Sequence, residues 1–178
     1  MKKIILIASC ILITTLSFSQ STAPKSKKLP SVTIKDVNGK SIKTSEITNN
    51  GKPIIISFWA LWCKPCQKEL STIAEVYDDW QKETGVKLVA VSIDDARSSA
   101  RVLPTVNGNN WSYDVLLDVN GDFKRAMNVN MIPHTFLLNG NGEIVWQHTS
   151  FAEGSELELI ELVRKLNRGE NISDKTKD

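Results

Sequence analysis

The chain of 178 residues has only three cysteines and two histidines, and aromatic residues make up just 7% of it. Three cysteines are too few for a disulfide-stapled scaffold, and a chain of this length buries a core without staples. Two histidines leave little for a zinc site built on imidazole. No unbroken apolar stretch reaches the roughly 18 to 20 residues that a membrane-crossing helix needs. An excess of charge of one sign is also missing: the formal charge is +2, and without Lys2 and Lys3 the remaining chain holds 20 basic and 20 acidic residues. Neutrality with no basic stripe offers no electrostatic footprint for nucleic acid. What is present, 41% hydrophobic and 24% charged residues, suits one compact domain.

Lys2 and Lys3, the apolar run over residues 4–16, and Ser17 and Ser19 at three and one residues before a cut ahead of Gln20 read as a secretory signal over residues 1–19. A second reading exists in Ile7-Ala8-Ser9-Cys10, which has the look of a lipid-attachment site, although the apolar run continues past Cys10. The first reading gives a soluble exported protein of the periplasm, the second a lipid-anchored one. Either way the chain meets an oxidising compartment. With the signal removed, Cys63 and Cys66 are the two cysteines left. Residues 20–28, rich in Ser, Thr, Pro and Lys, read as a linker, residues 29–168 as the domain, and residues 169–178 as a disordered polar tail.

Within the domain, Asn38-Gly39 joins two short extended pieces into a hairpin. The run 54–59 (IIISFW) carries apolar residues on both faces and reads as a strand buried at the centre of a sheet. Cys66, Leu70, Ile73, Tyr77 and Trp80 then fall at spacings of four and three, one face of a helix of about five turns. Residues 87–93 form the next strand, so the order implies a parallel right-handed unit. A helix over 95–106, bent or ended by Pro104, is followed by a strand at 113–117 and a short helix at 122–127. Residues 135–138 and 143–148 make a hairpin about an Asn-Gly-Asn-Gly turn. A last helix opens on a Ser155/Glu158 capping box, with Leu159, Leu162, Val163 and Leu166 facing the core.

The chemistry sits in Trp62-Cys63-Lys64-Pro65-Cys66, between the buried strand and the helix. Cys63 falls at the helix N-cap, where unpaired amides and the helix dipole favour an anion and lower a thiol pKa from its free value of about 8.5. Lys64 adds positive charge, and Pro65 in the first turn forfeits no needed hydrogen bond. Cys66 lies one turn in, on the apolar face, where burial raises its pKa. The asymmetry makes Cys63 the nucleophile on a disulfide and Cys66 the resolving thiol. Glu69, three residues after Cys66, borders the same helix face; two readings stay open, a partly buried carboxyl that exchanges protons with Cys66 and an ordinary solvated helix glutamate.

The run 54–69 and Met131-Ile132-Pro133-His134-Thr135-Phe136 ahead of a strand resemble the thioredoxin superfamily, and within it the exported TlpA/ResA-like thiol-disulfide oxidoreductases. The resemblance covers about residues 29–166. It implies an α/β thioredoxin-like fold, a central mixed sheet flanked by helices with an N-terminal β-hairpin extension, and no cofactor beyond the Cys63–Cys66 disulfide. It implies a cis-proline at Pro133, a backbone at Ile132 that pairs with an extended client, and a client surface of Trp62, Lys64, Pro65, Ile132 and Pro133. One of Trp59 and Trp62 packs in the core and the other shields the disulfide. Glu69 matches the acidic residue of the ResA-like branch, whereas Ser57 stands where thioredoxin itself has a buried Asp. The partners implied are protein disulfides or dithiols and a membrane thiol carrier as electron donor, with cytochrome c maturation a typical task.

Other readings stay open. The same pair runs backwards as a disulfide oxidant. A peroxiredoxin-like peroxidase expects Thr or Ser three residues before its nucleophile, where this chain has Ala60. Cys63, Cys66 and His134 are soft donors for a copper-binding module. Zinc, wanting four ligands, finds too few, so no metal is expected. A static Cys63–Cys66 disulfide is a further reading, although a staple closing so small a loop restricts the unfolded chain little. His134, next to Pro133, reads first as a satisfied strand-end histidine and second as an acid, a client contact or a weak metal ligand. His148 reads as structural.

Overall fold

The computed structural model describes residues 27–170 and residue 172. Along them run β1 (Lys27–Lys28), β2 (Thr33–Asp36), β3 (Ser41–Lys43), β4 (Ile54–Trp59), α1 (Lys64–Thr84), β5 (Lys87–Ser92), α2 (Val102–Gly108), β6 (Asp114–Leu117), α3 (Asp122–Ala126), β7 (His134–Leu138), β8 (Glu143–Thr149) and α4 (Ser155–Asn167). The eight strands form one sheet in the order β1-β8-β7-β4-β5-β6-β2-β3. β4 pairs parallel with β5 and antiparallel with β7, and the β2-β3 hairpin extends the sheet beyond β6. The expected mixed sheet and hairpin extension are both present.

β4 is buried at every position because it has a strand on each side and a packed layer on each face. Its side chains alternate. Ile54, Ile56 and Phe58 join Val89, Val91, Leu116, Phe123 and Phe136 on one face. Ile55 and Trp59 join Leu70, Ile73 and Tyr77 of α1 and Leu159, Leu162 and Val163 of α4 on the other. Each such side chain contributes roughly 1.5–3 kcal/mol when taken out of water. α1 runs just under six turns and stops at Gly85, whose φ of 70° supplies the left-handed residue that closes the last turn. Its predicted face is buried, and Glu69 is buried with it.

Five expectations are corrected. The linker ends earlier than residue 28, because Lys27 and Lys28 pair with Ile144 and Glu143 as an edge strand. The tail is not wholly solvated: Ile172 packs into the α1 side of the core. Residues 1–26, with the signal, Cys10 and most of the linker, and residues 171 and 173–178 lie outside the described residues. The helix read over 95–106 begins as a 3-10 turn at Ser99–Arg101 and is α-helical only from Val102, since Asp95 ties the segment before it into a turn through the amides of Arg97 and Ser98. Pro104 neither bends nor ends α2; it sits in the first turn, where amides lack helical partners in any case. The Ser155/Glu158 capping box does not form, because the N-cap is Gly154, in a left-handed conformation, and Glu156 accepts the Gly154 amide.

Candidate active site

β4 delivers the chain to the carboxyl end of the sheet at Trp59, and the turn 60–63 that follows is held at several points. The Cys63 amide donates to the Ala60 carbonyl at 3.0 Å. The Leu61 amide donates to Asp94 Oδ2 at 2.9 Å, and the Ser92 hydroxyl donates to the same oxygen at 2.8 Å. The Gln67 side-chain amide donates to the Leu61 carbonyl. Asp94, just past the end of β5, therefore fixes the segment that carries the first cysteine.

Cys63 is the N-cap of α1, with Pro65 in the first turn. It forms a disulfide with Cys66, Cα to Cα 5.3 Å, and the Cys66 amide points at Cys63 Sγ from 3.3 Å. In the dithiol form the same amide and the helix end favour a thiolate on Cys63. The two sulfurs differ less in access than the sequence implies. Cys63 is only 5% exposed and Cys66 is fully buried. Trp62 stands 68% exposed beside them while Trp59 is wholly in the core, edge-on to Trp111 at 5.0 Å. Lys64 and Pro65 are exposed.

The Ile132–Pro133 peptide is cis. His134 pairs with Phe58, so the preceding Pro133 lies level with Trp59, at the same end of the sheet as the turn 60–63. Ile132 is half-buried, and Met131 before it is 60% exposed. Trp62, Met131 and Ile132 thus present apolar surface at the disulfide's end of the sheet.

Glu69 is 6% exposed. Its Oε1 accepts the Thr135 hydroxyl at 2.7 Å, and Thr135 Oγ1 also lies 3.2 Å from Ser57 Oγ. Oε2 is buried with no hydrogen-bond partner. Burial raises the Glu69 pKa from 4.5 to about 7, the Thr135 hydrogen bond opposing it. A carboxyl so placed takes or gives a proton near neutrality.

A family model described as AhpC/TSA matches residues 26–147, more than half of the chain. The chain belongs to the AhpC/TSA family. Within it, the chain is 34% identical over 116 residues to thiol-disulfide oxidoreductase ResA of Bacillus subtilis, an alignment spanning 65% of this chain and 62% of ResA. It is 33% identical over 122 residues to sporulation thiol-disulfide oxidoreductase A of the same organism, spanning 67% of this chain and 72% of that protein. Two solved structures share the thioredoxin-like fold. A thioredoxin-like protein from Porphyromonas gingivalis has 56% identity and a TM-score of 0.71, over 79% of this chain and 92% of that one. StoA from Bacillus subtilis has 28% identity and a TM-score of 0.59, over 75% and 97%. The resemblance seen in the motif is therefore a family relationship extending over the domain.

The family's fold accounts for what the remaining candidates do and do not reach. His134 is turned away from Glu69: strand alternation puts it with Phe136, on which it stacks at 4.3 Å, on the opposite face from Thr135. Burial lowers its pKa, with the Gln147 side chain opposing. The copper set of Cys63, Cys66 and His134 is thus divided by the sheet, and no cluster of three or more His, Cys, Asp or Glu side chains suited to a metal occurs among the described residues. Ala60, where the peroxidase chemistry wants a hydroxyl, is fully buried and offers none. His148 is half-buried and stacks on Trp146 at 5.7 Å. Asp94 and Thr135 were not picked out from the sequence. The Ser-x-Asp spacing at 92–94 was the available signal for the first, and the β7 alternation for the second.

Proposed function

We propose that the protein is an exported thiol-disulfide oxidoreductase working as a disulfide reductase. The observation that carries this reading is the Cys66 amide aimed at Cys63 Sγ at the start of α1, with a near-neutral carboxyl on the next turn. In the dithiol form, the Cys63 thiolate attacks a client disulfide; a Cys63–client bond forms and the client's second sulfur leaves as a thiolate. Glu69 takes the Cys66 proton, and the Cys66 thiolate attacks Cys63 Sγ. The Cys63–Cys66 bond forms, the bond from Cys63 to the client breaks, and the client's first sulfur leaves with the proton that Glu69 returns. Two electrons pass to the client, and the protein ends oxidised. Trp62, Lys64, Pro65, Ile132 and the cis-Pro133 bind the client as an extended segment. A membrane thiol carrier restores the dithiol by the same exchange. The named relatives support this chemistry, and the leader-like residues 1–19 support a periplasmic site of action. Haem-binding cysteines of c-type cytochromes are the client class in this reading.

The test is a trap. Cys66→Ser removes the resolving thiol, so the client stays joined to Cys63 and migrates with it on a non-reducing gel, and mass spectrometry names it. Cys63→Ser captures nothing. Equal capture by both variants overturns the assignment of roles.

A further inference from the structure

Glu69 reaches the sheet through a pair of hydroxyls that face each other across two strands. Ser57 of β4 and Thr135 of β7 are register partners, both buried on the α1 face. Thr135 Oγ1 lies 2.7 Å from Glu69 Oε1 and 3.2 Å from Ser57 Oγ, yet a hydroxyl has a single proton to donate. The chain Ser57–Thr135–Glu69 is therefore ordered in one direction: Ser57 donates to Thr135, and Thr135 donates to Oε1. A proton gained at the unpartnered Oε2 leaves these donors in place and weakens the Thr135 bond, because Oε1 then carries less charge.

We propose that Thr135 is a positioning residue for Glu69, holding Oε1 so that Oε2 is the oxygen left to take and return the proton of the Cys66 thiol, and that Ser57 supports it by donating to Thr135. Oε2 is buried without a partner, as an oxygen reserved for an intermittent one would be. The titratable groups around the carboxyl are Cys66 on its own helix, Tyr113 ahead of β6, and His148, which faces Thr135 from β8; β4 and β7 present only hydroxyls. Tyr113 is engaged elsewhere, donating to the Leu70 carbonyl at 3.1 Å, and burial followed by the charge of Glu69 holds its pKa high. Thr135 thus gives the hydrogen bond that opposes burial at Glu69.

This proposal rests on Glu69 as the proton carrier of the dithiol, and its test separates the two. Full-length oxidised protein labelled with carboxyl-¹³C glutamate reports the Glu69 titration directly by NMR, unmixed with that of His148. Thr135→Val keeps the shape and removes the donor. Its Glu69 midpoint rises by about one to two pH units, a ten- to hundredfold gain in proton affinity, as expected for losing a hydrogen bond to a charged group. Thr135→Ser restores the midpoint. In single-turnover resolution of a preformed mixed disulfide, the pH midpoint of the Cys66 step moves with it. An unmoved midpoint in Thr135→Val, or a Thr135→Ser variant indistinguishable from it, overturns the proposal. Where Thr135→Val does not fold, Ser57→Ala reads the chain from its other end: a smaller rise is expected, and no rise overturns the support Ser57 gives Thr135. A wild-type protein unable to reduce a model disulfide sinks the function proposed above and leaves the carboxyl titration readable.

Discussion

Glu69→Gln separates the charge of this buried carboxyl from its shape, and stability against pH is where the charge acts. The native carboxyl keeps its proton up to about pH 7, whereas an unfolded one releases it near 4.5. Between those values the native state binds more protons than the unfolded one, so stability is greatest below about pH 4.5 and falls as pH rises through 7. At about 1.4 kcal/mol per pH unit, the fall attributable to Glu69 is roughly 3 kcal/mol. Glutamine retains an oxygen for the Thr135 hydroxyl, but its amide takes the place of the unpartnered Oε2, a pH-independent cost of about 1–3 kcal/mol. The variant is therefore the less stable protein at pH 4. It gains on the wild type by roughly 3 kcal/mol up to pH 8.5 and equals or surpasses it there. Urea unfolding of both oxidised proteins across that range measures the difference, in which every other titrating group cancels. A difference that stays constant with pH refutes the argument that burial holds this group protonated.

Asp94→Ala removes the acceptor for the Leu61 amide and the Ser92 hydroxyl. The oxidised protein should lose about 1–3 kcal/mol in denaturant unfolding, and the reduced one should react more slowly with a model disulfide; unchanged stability and rate would show that the turn 60–63 holds itself. Equilibration of the Cys63–Cys66 pair against glutathione should place its potential nearer the roughly −270 mV of a thioredoxin than the roughly −120 mV of a strong oxidant. A value at the oxidising end reverses the proposed electron flow.

The parts of the site legible in the sequence were those written in consecutive residues. The run 54–59, the cysteine spacing and Pro65 set a strand, a helix start and an N-cap thiol by local rules, and the structure has all three. Glu69 was legible only as a neighbour of Cys66 along the helix; its hydrogen bond comes from Thr135, 66 positions away, through a register that no local pattern states. Asp94 likewise holds a turn 33 positions earlier. His134 was legible first as a strand-end histidine, and it opens β7. Its second reading, a group beside the thiols, leaned on nearness to Pro133 in sequence, whereas the two-residue period of a strand sends adjacent side chains to opposite faces. Lys27 and Lys28 looked like tether because pairing of so short an edge piece depends on what β8 offers rather than on their own composition. Pro104 was read as a helix breaker because the helix's true start was set by the Asp95 turn before it.

The near-complete cover over Cys63 in the oxidised state has a kinetic meaning. Thiol exchange needs a nucleophile in line with the sulfur it attacks, so a small soluble thiol arriving from solvent meets side chains before it meets the bond. Under the function proposed above, a client protein docked against Trp62 and Met131 would hold its sulfur beside the bond, where a free small thiol would not. Insulation of this sort would then keep reducing equivalents on a private line between a donor and its clients.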